Sequence, residues 1–328
     1  MDIEDTIGAI RHISNNTWIV VTFGALLLFS VVGNFVALFH TPRYRSCPNH
    51  NMEIFELHNR RAEVKVLDAV IQFLSTPAIN EHHYAYLYNN YKACAGGFYK
   101  ILFVVPSEPA SFDKRNLIRR GSIAEFIKRK QNAKLLFFLG RPAAEENDID
   151  IQLSINQEIR EFNDIVQEDY EDVYKNGYIK YMSMLKWASI YCRKAEYVIR
   201  VNDDVEIDLQ VMTDALNSTR SVFINYVVGL KVTNVSVVRD ASQAKLTRYY
   251  LTHQEYPEDT LPPFIYHIAA GFPIRTAMRL YQAALRVPVL KLEDVFITGL
   301  CPQLVDVALV HVDVQPKLVD VRDSLELQ

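Results

Sequence analysis

Three short runs of almost unbroken apolar residues constrain this chain more than anything else in it: residues 100–105 (KILFVV), 134–139 (KLLFFL) and 196–201 (EYVIRV). None alternates apolar with polar, so each reads as a strand buried on both faces. Pro106 closes the first run, and Gly140-Arg141-Pro142 closes the second. Helical spacing lies between them: one helix over 115–130, a helix or strand–helix junction over 154–166, and a long helix over 178–193. Strands alternating with helices predict an α/β fold with a mostly parallel central sheet flanked by helices.

The chain has 328 residues, 49% of them apolar, enough to fill a sizeable core. A net charge of −4 argues against nucleic acid as a partner, which calls for a basic excess. Residues 18–39 carry no charge. At about 1.5 Å per residue such a helix covers the roughly 30 Å hydrocarbon core of a bilayer. This stretch is too long for the apolar region of a cleaved signal peptide and ends in Phe39, His40, Thr41 and Pro42 rather than small residues, so an uncleaved anchor is expected. The resulting organisation is a cytoplasmic tail at 1–17, a transmembrane signal-anchor at 18–39, a stem at 40–95 with helical spacing over 52–74, and a lumenal domain at 96–328. Arg11 and His12 on one side, and Arg43 and Arg45 on the other, leave the orientation open by charge alone. The glycosylation sequons at Asn217 and Asn234 favour a lumenal body. The four cysteines (Cys47, Cys94, Cys192, Cys301) show no zinc-type pair; they permit up to two disulfides in three connectivities, or free buried thiols.

Ligands in open α/β sheets bind beyond the carboxyl ends of the strands. The run 196–201 ends there in Asn202-Asp203-Asp204. Adjacent carboxylates at a sheet edge suit a hard divalent cation, Mg²⁺ or Mn²⁺, whose shell substrate phosphates complete. A turn capping the helix that starts near Leu209 explains the same residues without a ligand. A second pair, Glu293-Asp294, offers a general base, or else the acidic first turn of a helix.

Taken in order, several segments resemble the β-1,3-glycosyltransferases that transfer galactose or N-acetylglucosamine, a group that includes the Fringe enzymes. Residues 112–119 match "F..R..IR", and Phe138-Leu139-Gly140 matches "FLLG". Residues 158–180 follow the next element, which Lys186-Trp187 and Cys192 continue. Arg200 to Asp204 occupies the "K.DDD" position, and Glu293-Asp294-Val295 with Gly299 and Cys301 matches "EDV..G.C". The resemblance spans about residues 94–301. It implies a single-pass type II Golgi membrane protein with a GT-A nucleotide-diphospho-sugar transferase fold. It also implies a UDP-sugar donor, Mn²⁺ (or Mg²⁺), a glycan acceptor on glycoprotein or glycolipid, and an inverted β-1,3 linkage. Asp204 becomes the metal ligand, Asp203 the organiser of donor sugar and ribose, and Asp294 the base. Arg115 and Arg119 support the nucleotide end.

The chain departs from the pattern at Asn202, where the first Asp of the triplet is usual, and at Ser122, where Trp is usual. Residues 256–271 follow the family's acceptor region only loosely, and His311 is the one histidine after Asp294 in the place of a downstream metal-binding His. The alternative these departures leave is a weak or inactive member that binds glycans or stabilises a partner. A hydrolase using Glu293 with Asp294 is disfavoured, because neighbouring residues do not flank one bond from opposite sides.

Overall fold

In the computed structural model, which describes residues 63–130, 132–144, 148–240, 242 and 247–318, the three apolar runs become neighbouring strands. They are β2 (Tyr99–Pro106), β3 (Ala133–Arg141) and β5 (Ala195–Val201). With β1 (Tyr86–Tyr88), β4 (Ile165–Glu171), β7 (Tyr226–Val232), β8 (Phe264–Pro273) and β9 (Ala308–His311) they form one sheet, ordered β1-β4-β3-β2-β5-β8-β7-β9. The short β6 (Val205–Glu206) pairs antiparallel with β10 (Lys317–Leu318) in a separate two-stranded sheet. The reason for the unbroken apolar runs is visible in their partners. Along β2, Ile101, Phe103 and Val105 enter one core and Leu102 and Val104 the other. Side chains alternate between faces, so a strand covered on both sides is apolar at every position.

Helices fill both sides. We label residues 63–74 α1, Phe112–Arg120 α2, Ser122–Lys130 α3, Asp148–Phe162 α4, Gly177–Tyr191 α5, Leu209–Thr219 α6 and Ile274–Ala284 α7. Phe126, Ile155, Met212 and Leu216 from α3, α4 and α6 cover one face. Helix α5 lies in the opposite core and is buried almost all round, with Trp187 fully enclosed. The Trp187 indole donates to Asn89 Oδ1 at 3.0 Å.

The structure differs from the sequence reading in four places. The parallel pairs, within β4-β3-β2-β5 and between β7 and β9, are the majority, as expected, but they are interrupted: β8 is antiparallel to both β5 and β7, and β1 is antiparallel to β4. The sequence reading assigns no strand to β7 or β8. The single helix expected over 115–130 is two, broken at Gly121, whose extended backbone lies where a Cβ would meet Leu117 O at 3.2 Å and Glu206 Oε1 at 3.0 Å. The segment 154–166 resolves into the end of α4, a left-handed Asn163 and the start of β4.

The expected anchor at 18–39 lies outside the described residues, as do residues 52–62 of the helix expected over 52–74; its remainder, 63–74, is α1. Among the described residues no helix is long and apolar enough to cross a membrane. Residues 76–94, on the stem side of the boundary drawn at 95, are bonded into the sheet domain. The amides of Ile79 and Asn80 donate to Leu285 O, β1 forms a sheet edge, and Cys94 is bridged to Cys192 at the end of α5. Cys301 is a buried free thiol, and Cys47 lies outside the described residues. Both sequon asparagines, Asn217 and Asn234, are exposed. The bridge closes a 98-residue separation. A Cys94→Ala/Cys192→Ala chain is therefore expected to lose about 3–5 kcal/mol of stability in a guanidinium titration; an unchanged midpoint refutes this.

Candidate active site

The carboxyl ends of β2, β4, β5 and β7 open into a cleft of about 610 Å³. Ser107 follows β2, Asp172 follows β4, Asn202-Asp203-Asp204 follow β5, and Val232 ends β7; all line it. Glu293 and Asp294 reach the same cleft from the start of a π-helical turn, Val295–Leu300. Two acidic pairs about ninety residues apart in sequence are thus brought to one site.

The capping explanation for Asn202-Asp203-Asp204 does not hold. The N-cap of α6 is Asp208, whose Oδ1 accepts from Gln210 N at 2.9 Å and Val211 N at 3.0 Å. Asp203 is held on its cleft side by Ser107 Oγ, which donates to Oδ2 at 2.9 Å, and by Lys114 Nζ at 3.3 Å from Oδ1. Burial alone would lower the Lys114 pKa, but Asp203 and Asp204 outweigh it and raise it. The half-buried Asp204 carboxylate accepts no hydrogen bond and forms no ion pair among the described residues. Among these residues no group of three or more His, Cys, Asp or Glu is placed to hold a metal ion by itself. Mg²⁺ or Mn²⁺ taking one or two carboxylates and finishing its shell with substrate phosphates asks for no such cage. An uncommitted carboxylate at a strand end fits that demand.

The second acidic pair divides its work. Glu293 is bonded to Arg200 at 2.8 Å and lies so near the start of α5 that a Cβ on Gly177 would meet its Oε2 at 2.6 Å. Arg200 also donates to the His267 carbonyl. Asp294 lines the cleft; its Oδ2 lies 3.6 Å from His267 Nδ1, and its Oδ1 accepts from Val295 N. Asp294 is therefore the member of the pair able to take a proton from a bound hydroxyl.

Arg115 and Arg119 do not line the cleft. Arg115 is fully buried, and all five of its N–H groups are engaged by protein. Nε and one Nη2 proton meet Glu158, with the shortest contact at 2.7 Å; the others reach Pro109 O, Glu108 O and Ser107 Oγ. Arg119 bonds Glu158 at 2.7 Å and grips Asp164 through two contacts of 2.8 Å. Both guanidiniums are thus bonded to protein partners and stand outside the cleft lining. Arg115 instead orients Ser107, which orients Asp203. His311 ends β9 outside the cleft, its Nδ1 accepting from Lys231 N at 3.2 Å.

Sequence reasoning missed Ser107, Lys114, Asp172, Lys180 and His267. Ser107 and Asp172 were open to the same strand-end rule that singled out Asp203. His267 sits within the antiparallel strand β8, where that rule does not apply.

The galactosyltransferase family model matches residues 113–313. Beta-1,3-galactosyltransferase 1 of Mus musculus is 27% identical over 233 residues, 70% of this chain and 67% of that protein. Lactosylceramide 1,3-N-acetyl-beta-D-glucosaminyltransferase of Homo sapiens is 27% identical over 259 residues, 77% of this chain and 67% of that protein. Among solved structures, the mannosyltransferase PcManGT from Pyrobaculum calidifontis aligns with a TM-score of 0.33 and 11% identity, over 81% of this chain and 68% of that one.

Burial alone would raise the Glu158 pKa, but Arg115 and Arg119 outweigh it and hold the carboxyl below its ordinary range. A depressed carboxylate contributes stability above its unfolded pKa and loses it as pH falls through the folded value. The acid limb of a stability–pH profile should therefore be steeper for wild type than for Glu158→Gln, measured by urea unfolding; coincident slopes refute the assignment. Arg115→Met, which leaves Glu158 buried without that partner, is expected to cost about 3–5 kcal/mol in the same assay.

Proposed function

The chain belongs to the galactosyltransferase family and is a glycosyltransferase; from that premise we propose that it is an inverting, metal-dependent enzyme of GT-A architecture. It transfers galactose, N-acetylglucosamine or N-acetylgalactosamine from a UDP-sugar to a glycan acceptor in β-1,3 linkage. The observation that carries this reading is the cleft that Asp204, which forms no hydrogen bond or ion pair among the described residues, shares with Asp294. The names of the relatives, β-1,3 galactosyl and 1,3-N-acetylglucosaminyl transferases, support the linkage and donor class.

Asp294 accepts the proton of an acceptor hydroxyl while that oxygen bonds to the anomeric carbon. The bond from the anomeric carbon to the donor phosphate breaks on the opposite face, so the configuration inverts and UDP leaves. Asp204 would hold Mn²⁺ or Mg²⁺, which when bound supplies charge neutralisation at the leaving diphosphate. Asp203, fixed by Ser107 and Lys114, orients the donor sugar and ribose. Glu293 and Arg200 hold the backbone of His267 and the approach to Asp294.

We also propose that residues 18–39 anchor the chain in the Golgi membrane with the body lumenal. The Cys94–Cys192 bridge and the exposed sequons support an oxidising, glycosylating compartment. In microsomes the body should resist added protease and shift on removal of N-glycans; digestion of the body without detergent would reverse the orientation.

Asp294→Asn is expected to lower transfer by at least about 10²-fold while UDP-sugar affinity stays within a few-fold. Asp204→Asn should instead remove the Mn²⁺-dependent part of UDP binding in calorimetry. Full transfer by Asp294→Asn would remove the base from that residue. Absence of UDP binding by wild type with Mn²⁺ present would favour the non-enzymatic reading that Asn202 suggests.

A further inference from the structure

The basic side chains that line the cleft are nearly all committed to carboxylates. Lys114 is 3.3 Å from Asp203, Lys180 is 2.8 Å from Asp172, Arg200 is 2.8 Å from Glu293, and Lys291 is 3.8 Å from Glu255. Among the described residues Arg248 is the cleft cation that has no such partner. It is exposed, and its guanidinium carbon lies 5.6 Å from the centre of the Tyr249 ring. Tyr174, Tyr249 and Tyr266 line the cleft with it. Burial raises the hydroxyl pKa of Tyr174 and Tyr266, and Asp294 and Arg248 act on both.

Arg248, Tyr174, Tyr249 and Tyr266 share the cleft with Asp294, and in the same cleft Ser107 and Lys114 hold Asp203 at the ends of β2 and β5. A guanidinium beside an aromatic face keeps its planar fork for a carboxylate or sulfate, and tyrosine faces suit the apolar side of a sugar ring. We infer that Arg248, with Tyr249, Tyr174 and Tyr266, forms an acceptor subsite that selects a glycan carrying a carboxylate or sulfate next to the sugar that is extended. The inference rests on the reading of Asp294 as the acceptor's base. The negative group of the acceptor meets Arg248, which holds the acceptor hydroxyl toward Asp294 and away from the diphosphate.

The test uses the full chain with UDP and Mn²⁺, and two probes that differ by one carboxylate: methyl β-D-glucuronide and methyl β-D-glucoside. Saturation-transfer titration should give the glucuronide about tenfold tighter binding, the order expected of one charge-assisted contact. Arg248→Gln should bring the two probes to equal affinity, Arg248→Lys should restore part of the difference, and neither should change UDP affinity. Equal binding of the probes by wild type, no detectable glucuronide binding, or a preference that survives Arg248→Gln overturns the inference. Weaker UDP binding in Arg248→Gln also overturns it, by assigning the arginine to the donor phosphates. Loss of UDP binding by wild type is the separate result that defeats the transferase reading itself.

Discussion

The buried guanidinium of Arg115 is the interaction on which the candidate site depends. It lies under the cleft with every donor engaged, joined to Glu158 on α4, to the loop carbonyls after β2 and to the Ser107 hydroxyl. Glu158 in turn bonds Arg119, and Arg119 bonds Asp164 just before β4. Two charges removed from water are tolerated only when their hydrogen-bonding groups are met, and here they are. The chain of contacts ends at Asp203 through Ser107, so the position of a cleft carboxylate is set by an ion network that does not itself line the cleft.

The sheet supplies the frame for that network. Its parallel half delivers β2, β4 and β5 ends to one edge, and each end carries a polar residue: Ser107, Asp172 and Asn202 with its two neighbours. Lys180, buried on α5, bonds Asp172 at 2.8 Å and the Ser107 carbonyl at 2.8 Å, tying two of these ends together. The antiparallel strand β8 then brings His267 and Tyr266 against the third. A wholly parallel sheet would turn the carboxyl end of that strand to the edge in place of its middle.

Within each acidic pair the fold separates a structural member from an uncommitted one. Glu293 is held by Arg200 at the start of α5, leaving Asp294 facing the cleft. Asp203 is held by Ser107 and Lys114, whereas Asp204 accepts no hydrogen bond among the described residues. Asp208 does the capping that the earlier aspartates were suspected of. Catalysis and metal binding both need a carboxylate whose lone pairs are not already spent on protein donors.

The sequence by itself determined the two-sided strands and the residues that end them, because side-chain alternation and apolar runs are local properties. EYVIRV had to be a buried strand, and Asn202-Asp203-Asp204 had to sit at its carboxyl end. The ordered motifs further linked those residues to Glu293-Asp294-Val295. The tertiary structure alone decided which charged groups are bound and which are free. Arg115 matches a family motif whether it faces a nucleotide or Glu158, and only the 2.7 Å contact across 43 residues of chain distinguishes the two. The Arg200–Glu293 and Ser107–Asp203 pairs, 93 and 96 residues apart, are equally invisible to spacing. Pairing energy depends on distance and burial in the folded chain, which local sequence does not encode.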